Sequence, residues 1–276
     1  MICLILDGLI LKNKILDLAK EKIEREGLKL TLAIIQVGDN SASNIYIKNK
    51  IRACEKVGIN VIYKRLDSDI LEEDIIKIIN YFNNDDKVTG IILQSPLPEG
   101  LDFDKCSSYI FASKDVDGFT KENIYNLYLN KKGILPCTVK GILRLLEEYN
   151  VSVEGASVAI VGRGNIVGKP LALAMENRNA TVTLCHSKTK NLKEVTSHAD
   201  IVIAACGVPH LITADMIEDK AIVIDVGISN VSNKIVGDVD FETVKKKAAF
   251  ITPNPGGVGP MTVAMIIDNL IEMGGR

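Results

Sequence analysis

The chain has 276 residues, of which 47% are hydrophobic and 25% are charged, and its formal net charge is -2. This composition is typical of a soluble globular protein, and the length suggests about two domains. Because the basic residues are scattered and no apolar run approaches the length of a membrane span, we expect neither a nucleic-acid nor a membrane partner. The apolar start of the chain lacks a basic leader, so no signal peptide is predicted and we expect a cytoplasmic protein. The six cysteines show no C-x-x-C spacing, which predicts reduced thiols and no metal site.

The first half of the chain alternates between helical and strand patterns. Helices are predicted where apolar residues recur every three or four positions, and strands where β-branched and apolar residues run together. The predicted helices are 12–26, 41–57 and 72–82, and the predicted strands are 30–37, 60–66 and 88–94. This β-α-β-α-β order predicts a parallel sheet with right-handed crossovers. Ligands of such sheets bind beyond the carboxyl ends of the strands, so the residues from Gln94 onwards are expected to be functional.

The predicted helix 41–57 carries a tyrosine and a lysine on one face. Tyr46 and Lys50 are four residues apart, and Ser43 shares their face, which borders an apolar stripe. A lysine at the edge of a core is partly desolvated, which favours its neutral form, so the pair is suited to acid/base chemistry. The structural alternative is a tyrosine anchored at the core edge and a lysine that extends to water.

Two polar segments follow the strand 88–94. In the first, Pro96 and Pro98 hold the chain stiffly at the mouth of the sheet, next to Gln94. A glutamine there can orient a lysine or a polar ring, or it can tie down its own loop. In the second segment, Asp117-Gly118 is a common turn dipeptide, but its carboxylate is also suited to accept paired N–H donors from a heterocycle.

The β/α order restarts in the second half of the chain. Helices are predicted over 121–129, from Thr138, over 167–177 and over 262–273, and strands over 156–161, 180–185, 199–205 and 221–226. We therefore predict an α/β protein with two domains. The first comprises residues 1–140, joined by a C-terminal helix at 258–276, and the second comprises residues 141–257.

A glycine-rich turn opens the second domain, between the strand 156–161 and the next helix. Its spacing is G-x-G-x-x-x-G, running from Gly162 to Gly168, and its place between strand and helix predicts nucleotide binding. The following strand ends at His186-Ser187 with no acidic residue to bind ribose hydroxyls. Together with Arg163, this strand end supplies donors and positive charge for a 2′-phosphate, so NADP is favoured over NAD.

Glycines also mark three later segments. Strands 199–205 and 221–226 run into Gly207 and Gly227, as a flat ligand lying across the sheet end requires. The segment 251–262 is rich in proline and glycine, which favours a rigid wall beside a ligand over a flexible linker.

Taken together, these motifs resemble the bifunctional methylenetetrahydrofolate dehydrogenase/cyclohydrolase family nearly end to end. Six motifs appear in a fixed order, which is far more specific than any one of them. They are Tyr46-x-x-x-Lys50, Gln94-Ser-Pro-Leu-Pro98, Lys114-Asp-Val-Asp-Gly118, Pro136-Cys-Thr138, Gly162-Arg-Gly-Asn-Ile-Val-Gly168-Lys-Pro170 and Pro255-Gly-Gly-Val-Gly-Pro-Met-Thr262.

The resemblance implies a fold and an activity. The two α/β domains would be a parallel-sheet substrate domain and a Rossmann-like NAD(P)-binding domain, with the cleft between them holding the tetrahydrofolate substrate, in a homodimer. The enzyme would oxidise 5,10-methylenetetrahydrofolate to 5,10-methenyltetrahydrofolate with NADP, in one-carbon metabolism. It would then hydrolyse the product to 10-formyltetrahydrofolate.

The resemblance also implies residue roles. Lys50 would be the acid/base of hydrolysis, positioned by Tyr46 and hydrogen-bonded to Gln94. Asp117 would bind the polar edge of the pterin. The substrate site would comprise Tyr46, Gln94, Pro96, Leu97, Asp117, Gly256, Gly257 and Val258, and the cofactor site would comprise Gly162, Arg163, Gly164, Ile166, Ser187, Cys206, Gly207, Ile228 and Thr262.

The chain departs from the family pattern at four positions. Gly164 stands where the family usually has serine, which removes a hydroxyl that could bind a phosphate. The other departures are Ser95, Val139 and Asn254. Four alternatives stay open at this point: a member with one activity, NAD as the cofactor, a shikimate-type dehydrogenase of similar architecture, and a non-enzymatic NADP-binding sensor.

Overall fold

The computed structural model describes residues 3–231 and 234–275, and the chain divides into two compact units. The three-stranded unit comprises Asn13–Cys137 and Val263–Arg276, and the six-stranded unit comprises Met1–Lys12 and Thr138–Thr262. Residues 1–12, predicted to belong to the first domain, include Leu4–Ile5, which pairs with a strand near residue 250. The predicted domain bounds, 1–140 and 141–257, stay a prediction.

The strands and helices follow one another along the chain as the β/α pattern indicates. The strands are β1 (Leu4–Ile5), β2 (Thr31–Val37), β3 (Asn60–Leu66), β4 (Gly90–Leu93), β5 (Ser157–Val161), β6 (Thr181–Cys185), β7 (Ile201–Ala204), β8 (Ile222–Asp225), β9 (Ser229–Val231), β10 (Lys234–Val236) and β11 (Phe250–Ile251). The helices are α1 (Gly8–Glu26), α2 (Ser41–Val57), α3 (Glu72–Asn83), α4 (Phe103–Ser107), α5 (Lys121–Tyr128), α6 (Cys137–Glu148), α7 (Gly168–Glu176), α8 (Leu192–Thr196), α9 (Phe241–Val244) and α10 (Val258–Gly274). In the described part of the chain, no helix is both long and apolar enough to cross a membrane.

The three-stranded unit contains the parallel sheet predicted for the first half of the chain. Its order is β3-β2-β4, with Ala33 of β2 level with Ile62 on one side and Ile91 on the other. Every residue of the central strand β2 is buried, as its unbroken apolar run predicts, whereas the edge strand β3 is largely exposed. Part of the core packs this sheet against α3 through Ile35, Leu66, Ile75, Ile79 and Leu93.

The six-stranded unit is a parallel sheet of Rossmann-like type, as predicted. Its order is β1-β11-β8-β7-β5-β6, and all of its pairs are parallel. From β5 the chain moves outwards to β6 and then crosses to β7 on the other side. The strand order therefore reverses between β5 and β7, which is where such sheets bind their ligands.

Several helix ends differ from the predicted ones for local reasons. Helix α1 begins at Gly8 rather than residue 12, because Oδ1 of Asp7 accepts hydrogen bonds from the backbone N–H groups of Leu9 and Ile10, 2.9 Å each. Helix α10 begins at Val258 rather than Thr262, since proline at 260 is tolerated in a first helical turn.

Candidate active site

Lys50 lies on α2 and is almost completely buried, with 8% of its surface exposed. Its Nζ donates a hydrogen bond to Oε1 of Gln94, at 3.1 Å. Nε2 of Gln94 in turn donates to the carbonyl oxygen of Ser95 at 2.7 Å, and the Ser43 hydroxyl donates to the same oxygen at 3.3 Å. Both alternatives for Gln94 therefore hold, because it binds the lysine and also ties down its own loop.

Tyr46 precedes Lys50 by one helical turn, and 41% of its surface is exposed. The structural alternative for this pair required a lysine that extends to water, but here the lysine is the buried member. A tyrosine ring on the exposed side of the same turn is accessible to a ligand that approaches Lys50.

The helix that carries this pair is held at both ends. Its N-cap, Asn40, accepts a hydrogen bond from the backbone N–H of Ser43, and its C-cap, Gly58, has a φ of 82°. At the first turn, Asn44 accepts a hydrogen bond at 2.9 Å from Gln36, a buried residue of β2. The positions of Tyr46 and Lys50 are thus fixed by a capped helix anchored on the central strand.

Asp115 is the buried carboxylate of the Lys114–Gly118 motif. It accepts hydrogen bonds from the backbone N–H groups of Gly118 at 2.9 Å and Thr120 at 2.7 Å, and from Nδ2 of Asn123 at 3.0 Å. Burial raises the pKa of Asp115, while the hydrogen bonds from Thr120 and Asn123 act to lower it. Asp115 therefore shapes the loop, because three backbone and side-chain donors of the loop and of α5 bind its carboxylate.

Asp117 lies at the carboxyl end of the three-stranded sheet. A parallel bridge between Ile91 and Asp115 places the motif beside β4, and Asp117 lines the same small hollow as Leu93, the residue before Gln94. Asp117 is half-buried. Other residues around the hollow are Leu93, Phe103, Ser107, Ile110 and Phe119. The fold thus brings Gln94, Lys50 and Asp117 to one end of this sheet.

Pro96 and Leu97, two predicted substrate contacts after Gln94, differ in exposure. The Ser95–Pro96 peptide bond is cis, and Pro96 is exposed. Leu97 is half-buried and packs against the core of the three-stranded unit. Pro96 is therefore the more accessible of these two predicted substrate contacts.

The glycines of the turn after β5 have different structural reasons. Gly162 has a φ of +126°, and a Cβ there would lie 2.2 Å from the Ala205 carbonyl oxygen. A Cβ on Gly168 would lie 1.9 Å from the Gly162 oxygen, so both positions exclude any side chain. Around Gly164, by contrast, there is nothing within 4 Å of such a Cβ. The fold requires Gly162 and Gly168, and it leaves open space at Gly164.

The predicted cofactor residues gather at one edge of the six-stranded sheet. Strands β5, β6, β7 and β8 are parallel neighbours, so the residues that follow their carboxyl ends share that edge. Gly162, Ser187, Cys206 and Ile228 follow those four ends in turn. Arg163, Ile166, Ser187, Gly207 and Ile228 are all exposed there. Nδ1 of His186 accepts a hydrogen bond from the backbone N–H of Lys188, which indicates a turn-forming role for this histidine.

The proline- and glycine-rich segment before α10 is packed rather than loose. A Cβ on Gly8 would lie 1.8 Å from the Gly257 carbonyl oxygen, so the segment 256–258 lies directly against the start of α1. Within α10, the hydroxyls of Thr262 and Thr138 are 3.2 Å apart. This supports the prediction of a rigid wall over that of a linker.

The structure assigns the predicted residues to two groups. Lys50, Tyr46, Gln94 and Asp117 belong to the three-stranded unit, and the glycine turn and residues 256–258 belong to the six-stranded unit. Two buried carboxylates, Asp225 and Asp238, adjoin the cofactor turns and were missed from the sequence. The available signal was an aspartate two residues before Gly227 and another directly after Gly237.

The fold and the site together define a class of α/β proteins in which a Rossmann-like unit with a glycine turn accompanies a unit carrying a buried lysine. Two family models match the chain. They are "Tetrahydrofolate dehydrogenase/cyclohydrolase, catalytic domain" over residues 6–117 and "Tetrahydrofolate dehydrogenase/cyclohydrolase, NAD(P)-binding domain" over residues 136–276. The chain belongs to the tetrahydrofolate dehydrogenase/cyclohydrolase family, which confirms the resemblance found in the sequence.

Individual relatives agree with this assignment over almost the whole chain. The "Bifunctional protein FolD" of Agathobacter rectalis is 47% identical over 272 residues, covering 97% of this chain and 98% of that protein. The crystal structure of the bifunctional enzyme FolD from Campylobacter jejuni has a TM-score of 0.96 and 44% identity, with 98% of each chain covered. The Trypanosoma brucei enzyme, solved with NADP and an inhibitor, has a TM-score of 0.95 and 31% identity, with 99% of this chain and 98% of that chain covered.

The shikimate-type alternative is a more distant likeness. Shikimate dehydrogenase from Aquifex aeolicus has a TM-score of 0.54 and 18% identity, covering 90% of this chain and 93% of that chain. At that identity the likeness concerns the fold alone. The family membership therefore favours the folate enzyme over this alternative.

Proposed function

We propose that this protein is a bifunctional enzyme of one-carbon metabolism. It oxidises 5,10-methylenetetrahydrofolate to 5,10-methenyltetrahydrofolate with NADP and hydrolyses that product to 10-formyltetrahydrofolate. The observation that carries the proposal is the hydrogen bond from the buried Lys50 to Gln94, within the region matched by the family's catalytic domain. An amine that is hydrogen-bonded to a neutral amide is positioned for proton transfer. The amide carries no charge, so it does not offset the charge of the lysine as a carboxylate in an ion pair would.

Hydrolysis needs proton transfer at two points. When water adds to the methenyl cation, it must lose a proton. When the ring opens, the ring nitrogen that leaves the one-carbon group must gain a proton, while the hydroxyl of the adduct releases its own proton to solvent as the formyl C=O forms. We assign the first transfer to Lys50 acting as a base and the second to the same residue acting as an acid. Gln94 orients the amine, since its own position is set by the hydrogen bond to Ser95. The net reaction consumes water and releases one proton.

Binding and orientation of the folate fall to the groups around this lysine. The Asp117 carboxylate has two oxygens and can accept paired hydrogen bonds from the N–H donors on the polar edge of a pterin. The accessible Tyr46 ring and Pro96 would contact the substrate next to Lys50. Holding the reacting carbon beside the amine in this way is worth several kcal/mol of barrier, on the order of what preorganisation provides.

The six-stranded unit fits a dinucleotide. Its glycine turn lacks side chains where the backbone must approach a pyrophosphate, and the space beside Gly164 is open. When bound, NADP supplies the hydride acceptor for the oxidation. We assign the pyrophosphate to Gly162, Gly164 and Ile166, and the 2′-phosphate to Arg163 and Ser187. Other contacts would come from Cys206, Gly207, Ile228 and Thr262, while Gly256, Gly257 and Val258 would contact folate.

An absorbance assay tests both activities and the cofactor. Purified protein is mixed with methylenetetrahydrofolate and either NADP or NAD, and methenyltetrahydrofolate is followed over time. We expect it to appear with NADP and then to decay faster than its spontaneous hydrolysis. Appearance with NAD alone would overturn the assignment of Arg163 and Ser187. If no methenyl product forms with either cofactor, the dehydrogenase proposal fails, and methenyltetrahydrofolate added directly then tests hydrolysis separately.

We also propose that the protein is a homodimer. The edge strand β3 pairs with β2 on one side, no described strand pairs with its other edge, and Ile62 and Tyr63 are 37% and 42% exposed. Long free edges of this kind are usually covered. Light scattering on the protein as it elutes from a size-exclusion column should give twice the mass of one chain. A monomer at micromolar concentration would contradict the proposal. The cytoplasmic location stays a prediction that cell fractionation can test.

A further inference from the structure

We propose that Asp238 is a positioning residue of the cofactor site, which pre-forms the two turns that follow β7 and β8. Asp225 holds Asp238 in place for this task. Neither residue touches the cofactor in the proposed function, and the inference rests on that function because it assigns Cys206, Gly207 and Ile228 to the dinucleotide.

Asp238 binds two successive backbone amides of the turn after β7. Its Oδ2 accepts hydrogen bonds from the N–H of Cys206 at 2.7 Å and from the N–H of Gly207 at 3.0 Å. The side chain is completely buried, and Gly207 has a φ of 71°. Hydrogen bonds to a charged acceptor are about twice as strong as neutral ones, so this carboxylate holds the turn in a conformation that glycine favours.

Asp225 supports the second turn and the backbone of Asp238. Its Oδ1 accepts hydrogen bonds from the N–H of Asp238 at 2.9 Å and of Gly227 at 3.1 Å, and its Oδ2 accepts one from Val239 at 3.2 Å. Its own N–H donates to the Thr252 hydroxyl at 2.7 Å. The end of β8, the turn before Ile228 and the segment 238–239 are thus fixed by one side chain.

The neighbouring glycines are shaped to the two carboxylates. A Cβ on Gly227 would lie 2.1 Å from Oδ1 of Asp238, and a Cβ on Gly237 would lie 1.8 Å from Oδ2 of Asp225. No side chain fits at either glycine without displacing a carboxylate. The backbone at Gly227, in the turn after β8, and at Gly237 is therefore packed directly against the carboxylates.

Asn254 adds a further link to the turn after β8. Its Nδ2 donates a hydrogen bond to the Gly227 carbonyl oxygen. The turn before Ile228 is thereby tied on one side to Asp225 and on the other to the segment that leads to Gly256.

One oxygen of Asp238, Oδ1, indicates which substitution of Asp238 keeps the two turns formed. Oδ1 of Asp238 is buried and has no hydrogen-bond partner among the residues that the structure describes. Both turn amides bind the other oxygen, so a single carbonyl oxygen at that place is sufficient. Asparagine can supply it without the charge, whereas alanine supplies no acceptor and leaves two buried N–H groups unpaired.

The test compares Asp238→Ala and Asp238→Asn with the wild type in three measurements: the Kd for NADP, the KM for NADP, and the rate of methenyltetrahydrofolate hydrolysis. We expect alanine to raise both NADP constants by about tenfold or more and asparagine to raise them less. Hydrolysis should stay within about twofold of wild type, since Lys50 and Gln94 belong to the other unit. The matched control is Asp240→Ala, which removes a nearby carboxylate that caps α9.

A folded Asp238→Ala variant that binds NADP as tightly as the wild type would overturn the inference, as would a parallel loss of hydrolysis. If the alanine variant does not fold, hydrogen exchange in the wild type decides. The Cys206 and Gly207 amides should be protected without NADP, and exchange as fast as that of an unstructured peptide would overturn the inference. Failure of the proposed function is separate, because it would appear as a wild type that neither binds nor reduces NADP.

Discussion

Replacing Asp225 by asparagine should remove a pH-dependent part of the stability of the six-stranded unit. Asp225 is 4% exposed, and burial raises its pKa from the ordinary value of 3.8 to about 6, despite the hydrogen bonds that its carboxylate accepts. The charged group that faces it is Asp238, whose negative charge acts in the same direction. Asparagine has a similar shape but cannot ionise.

The sign and size of the effect follow from these two pKa values. At about pH 3, well below the unfolded pKa, the carboxyl is protonated in both the folded and unfolded states and its ionisation costs nothing. As the pH rises, the unfolded chain loses its proton first, so the free energy of unfolding falls until the folded group also ionises at about pH 6. One pKa unit corresponds to about 1.4 kcal/mol, so the total loss is about 3 kcal/mol.

Urea unfolding at several pH values measures this difference. The two units can unfold in separate steps, so the transition that moves when NADP is added is assigned to the six-stranded unit. The free energy of unfolding of the wild type minus that of the Asp225→Asn variant should be about 2.4 kcal/mol greater near pH 4 than near pH 7, since the unfolded carboxyl is already partly ionised at pH 4. Other groups titrate in both proteins and largely cancel in the difference. A difference that stays the same across this range would refute the reasoning.

Three further substitutions test the proposed sites. Lys50→Met is expected to lower methenyl hydrolysis by about a hundredfold or more while part of the hydride transfer stays, because general acid/base catalysis contributes that much. Lys48→Met, on the exposed side of the same helix, is its control, and equal hydrolysis rates in the two variants would contradict the role of Lys50. Arg163→Ala should raise the KM for NADP about tenfold and leave the KM for NAD almost unchanged, because it removes a partner of the 2′-phosphate. An equal rise for both cofactors would contradict the assignment of Arg163 to the 2′-phosphate. Gly162→Ala should lower the unfolding midpoint, since its Cβ would lie 2.2 Å from a carbonyl oxygen, whereas Gly164→Ser should fold normally and bind NADP more tightly in a titration. A normal midpoint for the first variant, or weaker binding for the second, would contradict these expectations.

Local signals in the sequence were sufficient for the elements that carry them. Helix α2 was predicted with the bounds that the structure has, because its apolar residues recur at helical spacing, and the structure adds that Asn40 and Gly58 cap it. The glycine turn was recognised because its glycine spacing stands between a strand pattern and a helix pattern. Strands β1 and β11 were missed because each has two residues, too few for a periodic pattern, and each forms only through pairing with distant strands.

The sequence by itself therefore determined the β/α order, the parallel sheets, the family and its candidate residues, since periodicity, capping and motif spacing are properties of neighbouring residues. Tertiary structure decided which side chains meet. The lysine of α2 meets an amide 44 positions away, and the carboxylate of Asp238 meets turn amides 31 and 32 positions away. It also decided that Asp115 is buried and Asp117 half-buried, although both line the same hollow. Burial and long-range hydrogen bonding depend on where distant segments pack, and no local pattern encodes them.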